Sequence, residues 1–497
     1  MEVKKTLSAD VLVVGGGNAG LVAAIESANR GARVLLIEKG PREKRGGNSR
    51  FSGGHFRIVL ENGTKDLEPL LKDSVLPKGE IEVAPYRNDA YYADLMRVTE
   101  GLSEQSWAER IVNESYATAT WMKEQGLVWG LNTGQIVPKD GKLFWPSGTT
   151  VLTAGNSGEG LVEMLYGIAE RKGVPVLYQT AARTLLTGAE GNVCGVLALG
   201  REGFLRIEAK SVILACGGFE ANPEMRRRYL GEGWDLVKVR GTRYNTGDGL
   251  NMAFALGAQS CGHWGGCHAS IVSEDSPMVE AEAVGCIRYS YLFSVLVNAD
   301  AKRFVDEGEN FIVYTYAKMG RQVARQPGSV AYQIFDAKVA RFLRPEYENA
   351  IRAESDTLDG LAEELGLDPE AFRRTIEEYN RSIAAEIPFD PAKRDGRRTR
   401  GLCPDKTNWA QAIDTPPYLG YACVGAITFS YGGLKVTDKT EVLDSRELPI
   451  PGLYAIGELS GGVFFHNYPS GTGLVKGAIT ARIAAREATA RAGKSGG

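Results

Sequence analysis

The chain has 497 residues, of which 43% are hydrophobic and 24% are charged, and its formal net charge is −3. A chain of this length exceeds what one hydrophobic core usually supports, so we expect two domains. The small net charge gives no electrostatic case for a nucleic-acid partner. The seven cysteines form no C-x-x-C pair, which argues against a zinc or iron–sulfur site. The first residues, MEVKKTLSA, are charged and lack an apolar run, so we expect no signal peptide, no membrane span and a cytoplasmic protein.

Residues 10–38 have the pattern of a βαβ unit. The apolar strand DVLVV is followed by the turn GGGNAG, a helix that extends to Asn29 and a second strand, RVLLIEK. Glycines permit the tight turn and let backbone N–H groups contact a pyrophosphate at the helix N-terminus. Glu38 ends the second strand, where a carboxylate can accept the ribose hydroxyls of an adenosine. The unit predicts a dinucleotide site; the alternative is a chance glycine turn beside a surface glutamate.

Two further motifs favour FAD over NAD as the dinucleotide. The segment GGNSRFSGG at 46–54 supplies backbone donors and hydroxyls just after the adenosine-binding strand. Near the C-terminus, Glu458 follows a strand, where its carboxylate could accept ribityl hydroxyls. The segment SGTGL at 470–474 opens the last helix, whose N-terminus would place partial positive charge at the N1 and O2 edge of an isoalloxazine. The predicted FAD contacts are Gly15, Gly17, Asn18, Ala19, Glu38, Lys39, Gly46, Gly47, Asn48, Ser49, Ser52, Gly53, Gly54, Ala182, Ala215, Gly217, Asp248, Glu458, Gly473 and Leu474.

We predict an α/β fold in which a Rossmann-like FAD-binding domain carries an inserted α+β capping domain. A helical segment at about 87–125 is expected to pack beside the nucleotide fold. The capping domain would combine mixed strands with two helices capped by Asp359 and Asp368. The predicted FAD-binding domain comprises residues 1–260 and 418–497, and the predicted capping domain comprises residues 261–417.

The assembly of these motifs resembles the flavoprotein family of fumarate reductase and succinate dehydrogenase over nearly the whole chain. Within that family it is similar above all to tricarballylate dehydrogenases. The resemblance implies that a cap domain closes over the flavin, that the substrate lies between them, and that hydride passes at flavin N5 with a proton on the opposite face. The segments that carry it are GGNSRFSGG, VRGTRYNTGDG at 239–249, GHWGGCHAS at 262–270, RFVDEG at 303–308, NWAQAIDTPPY at 408–418 and FHNYPSGTGL at 465–474.

The chain departs from the fumarate reductase pattern at two positions. Tyr468 stands where those enzymes carry an arginine that binds a carboxylate, and Ser290 stands at the position of their acid arginine, with Arg288 and Tyr291 close by. Succinate dehydrogenases attach FAD through a histidine in the loop that here reads GGNSRFSGG. The histidine nearest to this loop, His55, lies past it, so we expect non-covalent FAD.

Three of the four histidines, His263, His268 and His466, lie in segments that the resemblance places around the substrate. A histidine can bind a carboxylate as a cation or can form a hydrogen bond to an enolate as a neutral tautomer. We predict catalytic roles for His268 and His466 and substrate contact for His263. The alternative is that each is an ordinary core or surface residue. His55 is expected to be structural.

Arg288 and Tyr291 are the predicted catalytic pair. Arg288 would bind and polarise a substrate carboxylate or carbonyl, so that the neighbouring C–H bond becomes acidic, and Tyr291 would take the proton. The alternative makes Arg288 a surface ion-pair partner and Tyr291 a core aromatic residue. Tyr468 and Arg240 are predicted to contact the substrate, and Arg243 could add an anion contact or lie on the surface.

These observations predict an FAD-dependent oxidoreductase. It would add or remove hydrogen across a C–C bond next to a carboxylate in a small polycarboxylate such as tricarballylate. The electrons would pass to a separate acceptor or redox partner, because the sequence has no second nucleotide fold and no cluster cysteines. A ketosteroid Δ1-dehydrogenase or an enoyl-type flavin reductase is the alternative if the pocket is apolar and lined by Tyr468 and Tyr291. A non-catalytic flavin-binding assembly or sensor protein is a third alternative.

Overall fold

The computed structural model describes residues 2–72, 74, 78–132, 136–139, 141–148, 152–155, 157–281 and 283–494. The outermost positions of the predicted FAD-binding domain, Met1 and 495–497, lie outside these ranges. Within them, no helix combines the length and apolar character needed to cross a bilayer.

The strands of the described residues form two large sheets and two small ones. In chain order they are β1 (Val3–Val14), β2 (Val34–Ile37), β3 (His55–Phe56), β4 (Ile81–Val83), β5 (Trp129–Leu131), β6 (Val137–Lys139), β7 (Lys142–Trp145), β8 (Leu152–Ala154), β9 (Val176–Leu177), β10 (Ala181–Thr187), β11 (Val193–Gly200), β12 (Gly203–Leu214), β13 (Lys238–Val239), β14 (Ser260–Ser273), β15 (Val295–Asn298), β16 (Val330–Phe335), β17 (Ala353–Ser355), β18 (Tyr418–Leu434), β19 (Glu441–Leu443) and β20 (Pro449–Ala455).

The helices cover the faces of these sheets. They are α1 (Asn18–Asn29), α2 (Gly47–Arg50), α3 (Thr64–Leu71), α4 (Asn88–Val98), α5 (Gln105–Glu124), α6 (Gly158–Arg171), α7 (Pro223–Leu230), α8 (Asp248–Phe254), α9 (Ala283–Cys286), α10 (Tyr316–Ala324), α11 (Leu358–Leu365), α12 (Pro369–Ser382) and α13 (Thr472–Lys494). The predicted helical segment at 87–125 contains α4 and α5.

An eight-stranded sheet contains the N-terminal βαβ unit. Its strand order is β10-β11-β12-β1-β2-β9, with β20 beside β12 and β19 beside β20. The central strands β12, β1, β2 and β9 run parallel, and every residue of β2 is buried. Strands covered on both faces read as continuous apolar runs, which is why DVLVV and VLLI stand at the centre of the sheet. Helix α1 packs against α13, so the two ends of the chain meet in this half of the molecule.

The turn between β1 and α1 depends on glycine. Gly15 has φ of +107°, and a Cβ atom there would lie 2.5 Å from the carbonyl oxygen of Ala215, which follows β12. No side chain fits this contact, so the backbone of the turn lies directly against the next strand. The arrangement leaves the N-terminus of α1 open at the end of the parallel strands.

A six-stranded sheet forms the second half of the molecule. Its order is β13-β18-β16-β15, and β14 and β17 also pair with β18. The long antiparallel pair of β14 and β18 has register shifts between His263 and Cys267 and between His268 and Ala269. Shifts of this kind re-aim side chains and are common beside functional sites. Here they lie on either side of His268.

Helix α10 packs on β14 and β18 at very short distance. A Cβ atom at Gly320 would lie 2.3 Å from the carbonyl oxygen of Ser270 on β14, so glycine is required where the helix crosses the strand. The close contact holds Tyr316, the first residue of α10, beside His268, with ring centres 5.0 Å apart.

The six-stranded sheet spans both predicted domain boundaries. Strand β14 begins at Ser260, and β18, which begins at Tyr418, pairs with it and continues to Leu434. Asp368 caps α12 as predicted, because its side chain accepts a hydrogen bond from the N–H of Ala371. The cap of α11 is Thr357 instead of Asp359, which lies within the first turn. Both side chains can accept a hydrogen bond, so the sequence alone did not separate them.

Candidate active site

Two adjoining cavities form a cleft between the two large sheets. The smaller, of about 120 Å³, lies at the ends of the parallel strands, and the larger, of about 200 Å³, lies between the nucleotide half and the six-stranded sheet. Six residues line both cavities, which makes the cleft continuous: Asn18, Ala19, Asn48, Ser49, Gly457 and Glu458.

Most residues predicted to contact FAD line this cleft. The smaller cavity is lined by Gly15, Gly17, Asn18, Ala19, Glu38, Lys39, Gly47, Asn48, Ser49, Ala182, Ala215, Gly217, Asp248 and Glu458. The larger is lined by Ser52, Gly53, Gly473 and Leu474 in addition to the shared residues. Gly46 and Gly54 are not among the residues that line either cavity. Their φ values of +106° and +66° serve turns of the loop instead.

Two acidic residues shape the smaller cavity. The Glu38 carboxylate accepts hydrogen bonds from the N–H groups of Gly16, at 2.9 Å, and Gly40, at 2.7 Å. Burial nevertheless raises the pKa of this carboxyl. Asp248 forms a different contact, since its Oδ2 lies 2.6 Å from the Nζ of Lys39. Glu38 is therefore the acceptor available to ribose hydroxyls, and the Lys39–Asp248 ion pair closes the side of the cavity.

The N-terminus of α1 carries unsatisfied polar groups that fit a dinucleotide. The helix has no side-chain cap, and the N–H of Asn18 donates to Ser49 Oγ at 3.0 Å. The Asn18 amide donates through Nδ2 to the carbonyl of Leu474, whereas its buried Oδ1 has no partner among the described residues. Buried polar atoms are almost always hydrogen-bonded, and a helix N-terminus attracts phosphate. The uncapped N-terminus of α1 therefore fits a bound pyrophosphate, whereas Asn18 Oδ1, which is an acceptor, fits a hydroxyl of the attached ribityl chain.

Glu458 lies beside a second buried carboxyl group, that of Glu220. The N–H of Ser430 is shared between them, at 2.8 Å from Glu458 Oε1 and 3.0 Å from Glu220 Oε1. The amides of Asn48 and Asn245 donate to the other oxygen of Glu220, at 3.3 and 3.1 Å. Burial, followed by the neighbouring Glu220, raises the pKa of Glu458 well above its usual range. Two carboxyl groups this close cannot both ionise, so the pair retains a proton.

Two arginines line the larger cavity. Arg240 is buried, and the one hydrogen bond of its side chain within the described residues runs from Nε to Thr428 Oγ1, at 3.0 Å. Arg344 has no hydrogen bond at its buried Nε in the described part of the chain, and the nearest carboxylate oxygen, Glu346 Oε2, lies 3.6 Å away. Arg240 has no carboxylate partner among the described residues, and Arg344, whose side chain is 25% exposed, has only the long contact with Glu346, so both guanidinium groups can bind an anionic ligand in the cavity.

His268 faces the same cavity from β14. Its Nε2 lies 3.2 Å from Ser270 Oγ, and its ring centre lies 5.0 to 5.2 Å from those of Tyr316, Phe429 and Tyr468. Burial, together with the positive charge of Arg240, holds the pKa of His268 well below its usual range. The imidazole is therefore neutral at physiological pH.

Two phenols meet beside His268 in the same cavity. The hydroxyls of Tyr316 and Tyr468 form a short hydrogen bond, and Tyr316 Oη also lies 3.3 Å from Ser470 Oγ. Burial raises the pKa of both phenols, so both stay protonated and act as hydrogen-bond donors. Tyr468 lines the cavity as predicted for a substrate contact, although its role as such stays a prediction.

Arg288 and Tyr291, the predicted catalytic pair, do not line either cavity in the described structure. Arg288 is buried, and its Nη1 donates to three backbone carbonyls, those of Gly285, Ile287 and Glu346. The Tyr291 hydroxyl lies 2.6 Å from Thr315 Oγ1, and burial raises its pKa well above the usual range. Tyr291 is therefore a core aromatic residue, as the alternative interpretation stated. Arg288 matches neither interpretation, because it is buried and binds backbone carbonyls of its own loop.

His263 and His466 also lie outside the residues that line the two cavities. They contact each other, since the N–H of His466 donates to His263 Nδ1 at 3.0 Å, and His466 Nε2 lies 3.8 Å from Glu100. His55 does line the larger cavity, with its Nε2 2.8 Å from Asn132 Nδ2, and burial lowers its pKa to about 4. The sequence analysis expected His263 and His466 to contact the substrate and His55 to be structural, so the structure differs from the expectation for all three.

Several cavity residues were missed by the sequence analysis. Tyr289, Tyr316 and Arg344 stand in segments without a recognisable motif, so no local signal identified them. Lys476 had such a signal, because it lies about one helical turn after Thr472 of the SGTGL segment. Its buried ammonium donates to the carbonyl oxygens of Gly457 and Ser460, and burial lowers its pKa to about 8.

Known proteins resemble the chain over nearly its whole length. The probable fumarate reductase Ifc3 of Shewanella frigidimarina is 28% identical, over 97% of this chain and 75% of that protein. The 3-oxosteroid 1-dehydrogenase of Mycobacterium tuberculosis is 25% identical, over 98% of this chain and 99% of that protein. The open conformation of a flavocytochrome c3 fumarate reductase superposes with a TM-score of 0.72 at 25% identity, covering 98% of this chain and 79% of that structure.

A family model, described as an FAD binding domain, matches residues 10–474. The predicted α/β fold class, with a Rossmann-like FAD-binding domain and an inserted capping domain, is confirmed, and so is FAD as the cofactor. The chain therefore belongs to the FAD-binding domain family, with fumarate reductases and 3-oxosteroid dehydrogenases among its relatives, and is an FAD-dependent oxidoreductase that acts on CH–CH groups.

Proposed function

We propose that the enzyme removes hydrogen from, or adds hydrogen to, the two carbons of a C–C bond next to a carboxylate in a small polycarboxylate such as tricarballylate. The observation that carries this proposal is the pair of cavity arginines, Arg240 and Arg344. Each lacks a close carboxylate hydrogen bond among the described residues, and each presents a planar fork that matches a carboxylate. Two such groups suit a substrate with more than one carboxylate.

The proposal includes non-covalent FAD held along the cleft. The N-terminus of α1 would hold the pyrophosphate, Glu38 the adenosine ribose, and Asn18 Oδ1 together with Glu458 the ribityl hydroxyls. FAD, when bound, supplies the hydride acceptor or donor. Cys216 lines the smaller cavity, and burial raises the pKa of its thiol to about 12, so this thiol stays protonated at neutral pH. With FAD bound non-covalently, acid denaturation should release the flavin into the supernatant.

The chain's own groups would bind the acid and move the proton. Arg240 and Arg344 orient the carboxylates and stabilise negative charge that develops on their oxygens. Tyr468 donates a proton to the substrate carbon during reduction, and takes it back during oxidation. Burial and the neighbouring Tyr316 raise the pKa of Tyr468, and the positive charge of Arg240 is the group that would stabilise a phenolate formed there.

An anaerobic flavin assay tests the proposal. Addition of a saturated polycarboxylate should bleach the oxidised flavin, or an unsaturated one should reoxidise the reduced flavin. Arg240→Ala and Arg344→Ala should keep the flavin spectrum but lower kcat/KM by at least about tenfold. Arg243→Ala is the matched control, because this exposed arginine pairs with Glu280 at 2.8 Å. Equal kinetics in all three variants would contradict the proposed substrate class.

A 3-ketosteroid is the second candidate substrate. The Tyr316–Tyr468 phenol pair and the apolar lining that includes Phe429 and Phe464 favour it, since a phenol can polarise a ketone. The volume favours the small acid, because a cavity of about 200 Å³ must also admit the flavin ring, whereas sites for drug-sized ligands span about 300–1,000 Å³. Flavin reduction by ketosteroids alone in the same assay would select this candidate.

We further propose that a separate acceptor takes the electrons and that the protein functions in the cytoplasm. The seven free thiols support a reducing compartment. A flavin-containing protein that no acid, steroid or electron acceptor can reduce or reoxidise would instead support the non-catalytic flavin-binding alternative.

A further inference from the structure

A chain of hydrogen bonds connects two residues of the larger cavity through a residue that does not line it. Tyr289 Oη donates to Ser270 Oγ at 2.8 Å, and Ser270 Oγ lies 3.2 Å from His268 Nε2. Tyr289 and His268 line the cavity, whereas Ser270 lies behind them with an exposed fraction of 0%. The three side chains therefore form one connected network.

The direction of this network determines where the histidine proton lies. A serine hydroxyl has one proton to donate, and it accepts the proton of Tyr289 through its oxygen. The proton of Ser270 can then be directed at His268 Nε2, which accepts it only if Nε2 is unprotonated. If Nε2 carried the proton instead, the Ser270 oxygen could accept from it, but the Ser270 proton would have no acceptor among the described residues, so the geometry favours an unprotonated Nε2. A neutral imidazole carries a single proton, so that proton resides on Nδ1.

The surroundings of Nδ1 leave this atom free to contact a ligand. This atom is buried and has no hydrogen-bond partner among the described residues. Burial and the positive charge of Arg240 keep the ring neutral. The ring therefore carries one proton, and a proton on Nδ1 excludes one on Nε2. A buried donor without a protein partner is expected to meet a ligand atom.

We propose that Ser270 and Tyr289 hold His268 in the Nδ1–H tautomer, so that His268 serves as a neutral hydrogen-bond donor to a substrate oxygen. This role rests on the proposed function for the identity of that oxygen, a carboxylate or carbonyl next to the reacting C–C bond. Ser270 is then a positioning residue, and His268 stabilises negative charge beside Arg240 without giving up its proton.

The tautomer can be measured without substrate. With only four histidines in the chain, selective ¹⁵N-histidine labelling of the FAD-bound enzyme gives a spectrum of four imidazoles. His268→Gln identifies the signals of His268 by their loss. Long-range ¹H–¹⁵N correlation at neutral pH should show Nδ1 protonated and Nε2 unprotonated. Protonation of Nε2 in the wild-type enzyme would overturn the proposal.

Two variants test the cause of the tautomer. Ser270→Ala removes the donor to Nε2, and Tyr289→Phe frees the Ser270 oxygen to accept from Nε2–H, so both should shift the His268 signals towards the Nε2–H tautomer. Ser294→Ala is the matched control, because this buried serine donates only to the carbonyl of Tyr291 among the described residues. Unchanged His268 signals in Ser270→Ala, with an unchanged flavin spectrum, would overturn the role of Ser270.

Kinetics with an acid that reduces the flavin provide a second readout. His268→Ala should lower kcat/KM by about 10²-fold, as expected for loss of one donor to a developing oxyanion, and His268→Gln should retain part of the rate because its amide can donate. Failure of every acid would reject the proposed substrate class but leave the spectroscopic result intact, so the two failures are distinguishable.

Discussion

Glu220→Gln is expected to flatten the pH dependence of stability in the FAD-free protein. In the folded chain, Glu220 and Glu458 share the N–H of Ser430; Glu220 is buried, and Glu458 is partly buried where it lines both cavities. The raised pKa of Glu458 means that the folded protein retains a proton that the unfolded chain releases. The substitution removes one of the two causes of this shift and leaves burial as the other.

The sign and size follow from proton linkage. The stability that Glu458 contributes is fully present below its unfolded pKa of about 4.3, and it is lost as pH rises towards the folded pKa. One proton retained only in the folded state gives a slope of about −1.4 kcal/mol per pH unit in the free energy of unfolding. In Glu220→Gln the pKa of Glu458 falls, so the slope should become shallower over the upper part of this window.

Urea unfolding of FAD-free protein at a series of pH values from 5 to 8 measures the slope. Glu190→Gln, which changes an exposed glutamate in a turn, is the control and should reproduce the wild-type slope. An identical slope in wild-type protein and Glu220→Gln would refute the shared proton, because removal of a carboxyl neighbour must then have no effect on Glu458.

Three further predictions concern other parts of the fold. Glu307 forms a buried ion pair with Arg303, in which Oε2 and Nη2 lie 2.7 Å apart. Glu307→Gln breaks this pair and should lower the free energy of unfolding, measured in urea, by about 3–5 kcal/mol. Gly15→Ala should abolish FAD binding, measured by flavin content after purification, because the new Cβ would lie 2.5 Å from the Ala215 carbonyl. Arg288→Ala should lower the melting temperature but leave KM unchanged in steady-state kinetics, because its guanidinium binds backbone carbonyls.

Each of these has a contrasting measurement. The exposed pair of Arg400 and Glu386 is the control for the buried pair, and its loss should change stability little. Gly31→Ala is the control for the glycine turn, because a Cβ there would contact no atom within 4 Å. A large rise in KM for Arg288→Ala would return that residue to the substrate site and contradict its position in the structure.

The nucleotide half of the site could be predicted from sequence because its determinants are local. The turn, the helix N-terminus and Glu38 all lie within one βαβ unit. The contacts predicted for the dinucleotide depend on a backbone conformation that requires glycine, so the glycines in the sequence indicate it. Glu458 and the SGTGL turn lie far from that unit in the sequence. Both were recognisable nevertheless, because Glu458 follows a strand and SGTGL begins a helix. Glu220 was not, because its role arises from packing against Glu458.

The substrate half could not be predicted in the same way. Arg344 and Tyr289 reach the cavity through loops and turns of the six-stranded sheet, and no spacing in the sequence specifies which way they point. Arg288 shows the converse, since an arginine close to an expected position is used to satisfy backbone carbonyls. For the histidines, the register shifts around His268 decided which ring faces the cavity, and such shifts leave no sequence signature here.

The Tyr316–Tyr468 hydrogen bond joins the two halves of the molecule. Tyr316 begins a helix that packs on the six-stranded sheet, whereas Tyr468 belongs to the segment that leads into α13 on the nucleotide half. Separation of the two sheets therefore breaks the phenol pair. If Tyr468 transfers the proton as proposed, the phenol pair that surrounds this step exists only while the two halves are in contact.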